Sequence, residues 1–259
     1  MTDPLFDVND KSVVLTGACG LIGRTLAAAL AQRGSRLVLA DLEAADLEDL
    51  NAAIEGNHTT FAGNLARSEN VASLVNVTVR AYGRVDVLIN CHQYKPSGFL
   101  SARAETFPEE LWDAIIEANL KGTFLTCRDF GRVMLDQKAG SIINFASTYG
   151  VVSSNPALYA DNSLGNPVAY SASKGGVIML TKYLASYWGK RGVRVNCITP
   201  HGVENNHEQE FVDRFSQMSP IGRMMAADEV VGAVMYFASD ASRYSTGGNL
   251  LVDGGWTAW

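Results

Sequence analysis

Tyr170 and Lys174 stand four residues apart in the segment Tyr170-Ser171-Ala172-Ser173-Lys174. On a helix, positions i and i+4 share a face, so the phenol and the ammonium point the same way. A free phenol loses its proton at about pH 10, and a neighbouring ammonium favours the phenolate and lowers that value. Such a phenol gives a proton to a carbonyl oxygen as hydride arrives, or takes one from an alcohol as hydride leaves. A chance Tyr and Lys on an amphipathic helix would have the same spacing, so the pair needs supporting chemistry elsewhere in the chain.

That support begins with Thr16-Gly17-Ala18-Cys19-Gly20-Leu21-Ile22-Gly23. Gly17 suits a tight turn, Gly20 lets a pyrophosphate approach the backbone, and Gly23 lets a helix pack closely on a strand. The N-terminus of the helix that follows offers free N–H groups and a positive dipole end to phosphates. Asp41 comes 24 residues after Gly17, near the spacing of an acid that accepts hydrogen bonds from an adenosine ribose. A carboxylate there repels the extra phosphate of NADP, and no Arg or Lys lies between Gly17 and Gly23. NAD is the expected cofactor. The competing reading of Asp41 is a solvated helix N-cap.

These residues need a frame. Short β-branched runs at 12–16, 36–40, 58–62, 85–90, 141–145, 193–198 and 249–252 predict strands. Helical patterns fall at 21–33, 43–54, 68–82, 108–137, 167–190 and 227–239. This alternation predicts an α/β fold with a parallel sheet and helices on both faces. Ligands in such sheets bind beyond the carboxyl ends of the strands, which is where the glycine loop and Asp41 fall. Two segments, 91–107 and 199–223, are long for plain loops and are expected to serve function.

The 259 residues, 47% hydrophobic and 19% charged, suit one globular domain over 1–259, with 199–223 as a substrate loop within it. A net charge of −6 gives no footprint for a nucleic-acid backbone. No apolar run is long enough for a bilayer, and the acidic start Met1-Thr2-Asp3-Pro4 is unlike a signal peptide. Cys19, Cys91, Cys127 and Cys197 are scattered and read as free thiols in a reducing cytoplasm. His58, His92, His201 and His207 form no ligand set, so no metal is expected.

The ordered set Gly17/Gly20/Gly23, Asn119-Leu120-Lys121-Gly122, Ile143-Asn144-Phe145-Ala146-Ser147, Tyr170-x-x-x-Lys174, Arg194-Val195-Asn196-Cys197-Ile198-Thr199-Pro200 and Asp253-Gly254-Gly255 resembles the short-chain dehydrogenases/reductases over essentially the whole chain. The resemblance implies a doubly wound Rossmann-type sheet of about seven strands in the order 3-2-1-4-5-6-7. It implies Tyr170 as general acid/base and Lys174 as the group that lowers its pKa and binds the nicotinamide ribose. Ser147 would hold the substrate oxygen, and Asn119 would anchor a water that relays protons through Lys174. NAD would lie along Gly17, Cys19, Gly20, Leu21, Ile22 and Gly23, then Asp41 and Leu42, Asn64 and Leu65, and Asn90, Cys91 and His92. It would end at Tyr170, Lys174, Pro200, Gly202 and Val203. A homotetramer or homodimer built on the long helices is also implied.

The sequence departs from the family in places. Leu21 stands where compact members more often have glycine, a spacing similar to that of nucleotide-sugar epimerases with tightly bound NAD. Asn90-Cys91-His92-Gln93 replaces the usual Asn-Asn-Ala-Gly, leaving Asn90 to bridge neighbouring strands. Asn64 replaces an aspartate at the adenine, and His201 interrupts Pro-Gly. Ser147 and Tyr170 are 23 residues apart, a long interval whose insert, 153–166, carries Tyr159 and Asp161. With Ser147, Tyr149, Tyr159 and His201 as candidate contacts, the insert points to a polyhydroxylated substrate such as a sugar; the plain alternative is a solvent loop. The insert and the ending Trp256-Thr257-Ala258-Trp259 also resemble bacterial oxidoreductases associated with flagellin modification and nonulosonate sugar pathways. Trp256 and Trp259 are expected to dock on the domain or on a second subunit. The other readings are a reductase of a small ketone or acyl thioester, and a catalytically silent nucleotide-binding module.

Overall fold

The computed structural model describes residues 4–96, 99, 103–159 and 168–259, with the side chains of Pro156 and Ala157 left aside. Asp161 and the rest of the insert beyond Tyr159 lie outside the described residues, as does the predicted start of the helix at 167.

Strand β1 (Ser12–Thr16) is buried along its whole length, as a central parallel strand covered on both faces must be. Its neighbours are β2 (Arg36–Asp41) and β4 (Val87–Asn90). β3 (Thr59–Ala62), β5 (Gly140–Phe145), β6 (Val193–Pro200) and β7 (Asn249–Val252) complete a seven-stranded parallel sheet in the expected order, β3-β2-β1-β4-β5-β6-β7. The chain reverses its winding between β1 and β4, which opens a crevice beyond the strand ends.

Helices α1 (Leu21–Ala31), α2 (Ala44–Ala53) and α8 (Val231–Ala238) cover one face. Leu26, Leu30, Leu47, Val234 and Phe237 pack there against Leu15, Leu37 and Ile89. On the other face lie α3 (Ser68–Tyr82), α5 (Gly122–Gln137) and α6 (Val168–Trp188). Leu74, Phe130, Met134 and Trp188 meet Val14, Leu88 and Ile142 there. Each such fully buried side chain contributes roughly 1.5–3 kcal/mol, so the two apolar layers hold the sheet.

A polar chain crosses this second layer. Thr126 Oγ1 donates to Asn90 Oδ1 at 2.8 Å, Asn90 Nδ2 to Asn144 Oδ1 at 2.9 Å, and Asn144 Nδ2 to Thr181 Oγ1 at 2.9 Å. It ties α5, β4, β5 and α6 together with every amide satisfied. Asn90 therefore bridges strands as expected.

Two elements differ from the sequence expectation. The single helix predicted over 108–137 is α4 (Glu109–Ile116) and α5 joined by a π turn, Glu117–Lys121. The predicted loop 199–223 contains a helix, α7 (Gln209–Met218), whose Phe215 packs into a small cluster with Leu158, Met224 and Trp256. Among the described residues no helix is long and apolar enough to cross a membrane, and no three His, Cys, Asp or Glu are grouped to hold a metal.

Candidate active site

A cavity of about 940 Å³ runs beyond the carboxyl ends of β1, β2, β4, β5 and β6, from Asp41 at one end to Tyr170 at the other. At its first end the loop after β1 turns through Gly17, at φ +68°. A methyl on Gly23 would meet the Gly17 carbonyl oxygen at 2.0 Å, so α1 approaches the loop after β1 only because Gly23 lacks a side chain, and a methyl on Gly17 would meet the His92 backbone at 2.6 Å. A methyl on Gly20 meets only that same oxygen, at 3.4 Å, which leaves the backbone open toward the cavity at the N-terminus of α1. Asp41 holds the loop from the next strand. Its Oδ2 accepts from Cys19 N and its Oδ1 from Leu42 N, both at 2.8 Å. The carboxylate is thus fixed where β2 ends; Asp46 lines the same wall, and Arg24 Nε donates to the Cys19 carbonyl at 2.9 Å. The loop, the helix end and the acid fit an adenine dinucleotide with free ribose hydroxyls.

Of the residues expected to line the cofactor, all but Asn90 border the cavity. Asn90 is 2 % exposed, and its amide is spent on Asn144 and Thr126, so its part is in the sheet and not on the cofactor face. His92 does reach the cleft. Its Nδ1 pairs with Thr16 Oγ1 at 2.7 Å, while Nε2 is buried without a partner. Burial, then the charge of Lys174, hold the imidazole neutral with its pKa pulled down to about 4.

At the other end, α6 presents Tyr170 and Lys174 one turn apart. The turn Thr148–Gly150 lies directly on this helix: a methyl on Gly150 would meet the Lys174 carbonyl carbon at 2.7 Å. That contact brings Ser147, at the end of β5, within hydrogen-bonding reach of Tyr170. Ser147 Oγ also accepts from Tyr149 N at 3.2 Å, which orients it. Phe99 packs edge-on against the Tyr170 ring at 5.8 Å.

Lys174 is 3 % exposed and donates from Nζ to the Phe145 carbonyl at 2.8 Å. Its ammonium lies 5.7 Å from the centre of the Tyr170 ring. Burial brings its pKa down to about 8. Burial raises the Tyr170 pKa, and the group that opposes this is the Ser147 hydroxyl.

Asn119 sits in the π turn, wholly buried. Its Oδ1 accepts from Tyr94 N at 2.8 Å and its Nδ2 donates to Ser173 Oγ at 3.4 Å. The side chain therefore braces the segment after β4 against α6 and does not itself border the cavity.

The remaining wall is aromatic. Tyr149 and Tyr159 join their hydroxyls at 2.8 Å. His201 stacks on Phe215 at 4.4 Å and meets Trp256 at 4.1 Å, the three rings forming a triangle closed by Phe215–Trp256 at 5.0 Å, with Nδ1 on Thr148 Oγ1 at 2.8 Å. Burial pulls its pKa down to about 4. Trp256 thus docks on its own domain as expected, whereas Trp259 is 82 % exposed. Lys95, Phe99, Asn205, Phe211 and Met224 also line the cavity and were not singled out from the sequence. For Lys95, Phe99, Asn205 and Phe211 the only signal was membership of the two long segments, 91–107 and 199–223, and Met224 lies just beyond the second.

A sequence model described as enoyl-(acyl carrier protein) reductase matches residues 17–257. D-threitol dehydrogenase of Mycolicibacterium smegmatis is 36% identical over 97% of this chain and 95% of its own. An NAD-dependent glycerol dehydrogenase of Listeria innocua is 31% identical over 98% and 97%. Among solved structures, a gluconate 5-dehydrogenase from Burkholderia cenocepacia in complex with NADP and tartrate superposes with a TM-score of 0.89 at 26% identity, over 99% of this chain and 98% of that one. With the sheet order and nearly the full length of the chain accounted for, the protein belongs to the short-chain dehydrogenase/reductase family.

Proposed function

We propose that this protein is an NAD-dependent dehydrogenase that interconverts a secondary alcohol and a ketone on a polyol or related polyhydroxylated substrate. The observation that carries the reading is the placement of the Ser147 hydroxyl beside Tyr170 and the buried Lys174, at the far end of a cavity that starts at Asp41.

NAD would supply the hydride acceptor. The free N–H groups at the start of α1 would take its pyrophosphate, Asp41 its adenosine ribose, Asn64 and Leu65 its adenine, Lys174 its nicotinamide ribose and Val203 its carboxamide. Asp41 with Asp46 disfavours a ribose phosphate, which supports NAD over NADP. In oxidation, Ser147 and Tyr170 hold the substrate hydroxyl between them. Tyr170 Oη passes its own proton to a neutral Lys174 as it takes the substrate's proton and hydride leaves the carbon. Reduction runs the same path backwards. Asn119 keeps the segment after β4 against α6 and so keeps this geometry.

The substrate class is supported by the threitol and glycerol dehydrogenases among the relatives and by the Tyr149–Tyr159 hydroxyl pair on the substrate wall. We further propose assembly through the long helices, since α6 exposes Met179, Tyr183 and Tyr187 in one stripe and α5 exposes Phe124. The enoyl reductase name of the matching family model favours a second reading, reduction of an acyl thioester or small ketone. One experiment separates the two. NAD or NADP is offered with polyols, aldonates, simple ketones and an acyl thioester, and the reduced-nicotinamide absorbance is followed. Turnover of a polyol-type substrate with NAD, lost in Tyr170→Phe, is expected. Turnover of the thioester alone would overturn the polyol reading.

A further inference from the structure

The described residues that line the cavity include five with charge: Asp41, Asp46, Glu117, Lys95 and Lys174. Asp41 and Asp46 belong to the adenosine end. Glu117 is engaged by Lys121 at 2.8 Å and by Arg67 at 3.4 Å. Lys174 is bonded to Phe145. Lys95 has no hydrogen bond or ion pair with any described residue.

This lysine is near Lys174, close enough for its charge to push the Lys174 pKa down further. Burial of its own head group lowers its pKa as well, although the residue as a whole is exposed. Two ammonium groups in one cleft, with no carboxylate beside them among the described residues, leave an uncompensated positive field. The backbone that carries Lys95 is also fixed. The preceding residue, Tyr94, donates its N–H to the buried Asn119, so the lysine projects from an anchored point and loses little freedom on binding. Across the cavity the wall is neutral. Tyr149 and Tyr159 have their pKa values raised by burial and stay protonated, ready to bond hydroxyl groups.

We propose that Lys95 is the anion-binding residue of the substrate pocket, so that the preferred substrate is a polyhydroxylated molecule bearing a terminal carboxylate or phosphate and not a neutral polyol. The inference rests on the polyol reading above and narrows it. It predicts a supplying reaction that oxidises a sugar to its acid or phosphorylates it.

The test uses matched sets: threitol, threonate and threitol phosphate, with glycerol, glycerate and glycerol phosphate beside them. Each is assayed with wild type, Lys95→Met and Lys95→Arg. The expected result is an anionic member with the highest kcat/KM in wild type, and its identity distinguishes carboxylate from phosphate. Lys95→Met should then raise its KM roughly 10–100-fold, the range of a charge-assisted hydrogen bond, with less than about a threefold effect on the neutral polyol. Lys95→Arg should recover most of the loss. Preference for the neutral polyol in wild type, equal losses on both substrates, or weakened NAD binding in Lys95→Met would each overturn the proposal while leaving the polyol reading standing. If nothing in the sets turns over, the polyol reading fails. Calorimetry of threonate with the NADH-loaded protein then decides on Lys95: binding lost in Lys95→Met supports the anion site, and no binding to wild type overturns it.

Discussion

Lys174 donates a hydrogen bond from its ammonium to the carbonyl of Phe145, 2.8 Å away at the last residue of β5. Two residues on, the Ser147 hydroxyl lies beside Tyr170. One strand end therefore holds both the lysine and the phenol. With Lys174 at about pKa 8, its proton is in play near neutrality. Oxidation requires Lys174 free to accept a proton, so its kcat/KM should rise as pH climbs through about 8, and reduction should fall over the same interval. Lys174→Arg keeps its proton, and should move the alkaline limb up by about one pH unit or more while kcat falls. Tyr170→Phe should lower kcat by roughly 10³-fold with NAD binding retained, as calorimetry would show.

Asp41 joins two backbone amides at the adenosine end. Asp41→Ser keeps one short acceptor and removes the charge. The ratio of kcat/KM for NAD over NADP should fall by about tenfold or more, the effect of removing one carboxylate–phosphate repulsion. An unchanged ratio would show that Asp41 serves the loop alone.

Asn119 is the brace between Tyr94 and Ser173. Asn119→Ala leaves a buried N–H unsatisfied and should cost about 1–3 kcal/mol in urea unfolding. Asn119→Leu removes the same bonds and fills the space. If both variants lose kcat with little change in NAD affinity, the residue positions the catalytic end.

His201 predicts acid lability. Its folded pKa of about 4 lies below the ordinary value of 6.5, so the unfolded chain binds the proton first. Stability is full above pH 6.5 and falls as pH drops toward 4, by an amount on the order of 2–3 kcal/mol. His201→Phe keeps an aromatic ring against Phe215 and Trp256 and should flatten that part of the slope; His92, with the same direction and a pKa of about 4, supplies the remainder. Urea midpoints measured from pH 7 to pH 4.5 would show it.

The sheet was legible because parallel strands buried on both faces, such as Val13, Val14 and Leu15, read as short apolar runs between amphipathic helices. Gly17, Gly23, Tyr170 and Lys174 were legible because their geometry is local: a turn, a close approach, one helix face. The π turn at Asn119 was not, since no residue type compels it and tertiary bonds to Tyr94 and Ser173 select it. Helix α7 was hidden inside a long segment because Glu208 provides no side-chain cap at its start, and its Phe215 packs on Leu158 and Trp256, which arrive from elsewhere in the chain. Asn90 was placed correctly in the sheet yet counted at the cofactor, because a strand-end amide has the same signature in either role. Lys95 carried no signal beyond its place in the long segment 91–107: a single lysine in a loop reads as solvent-facing until the fold sets Lys174 beside it.

The stack of Phe215, His201 and Trp256, with Thr148 holding the imidazole, bears on how this pocket changes by exchange of parts. A graft of residues 199–223 from a relative replaces His201 and Phe215 together and leaves Thr148 and Trp256 behind. Transplanted specificity will travel only when the turn after β5, the α7 segment and the tryptophan move as one set, so these three stretches behave as a single heritable unit of the wall.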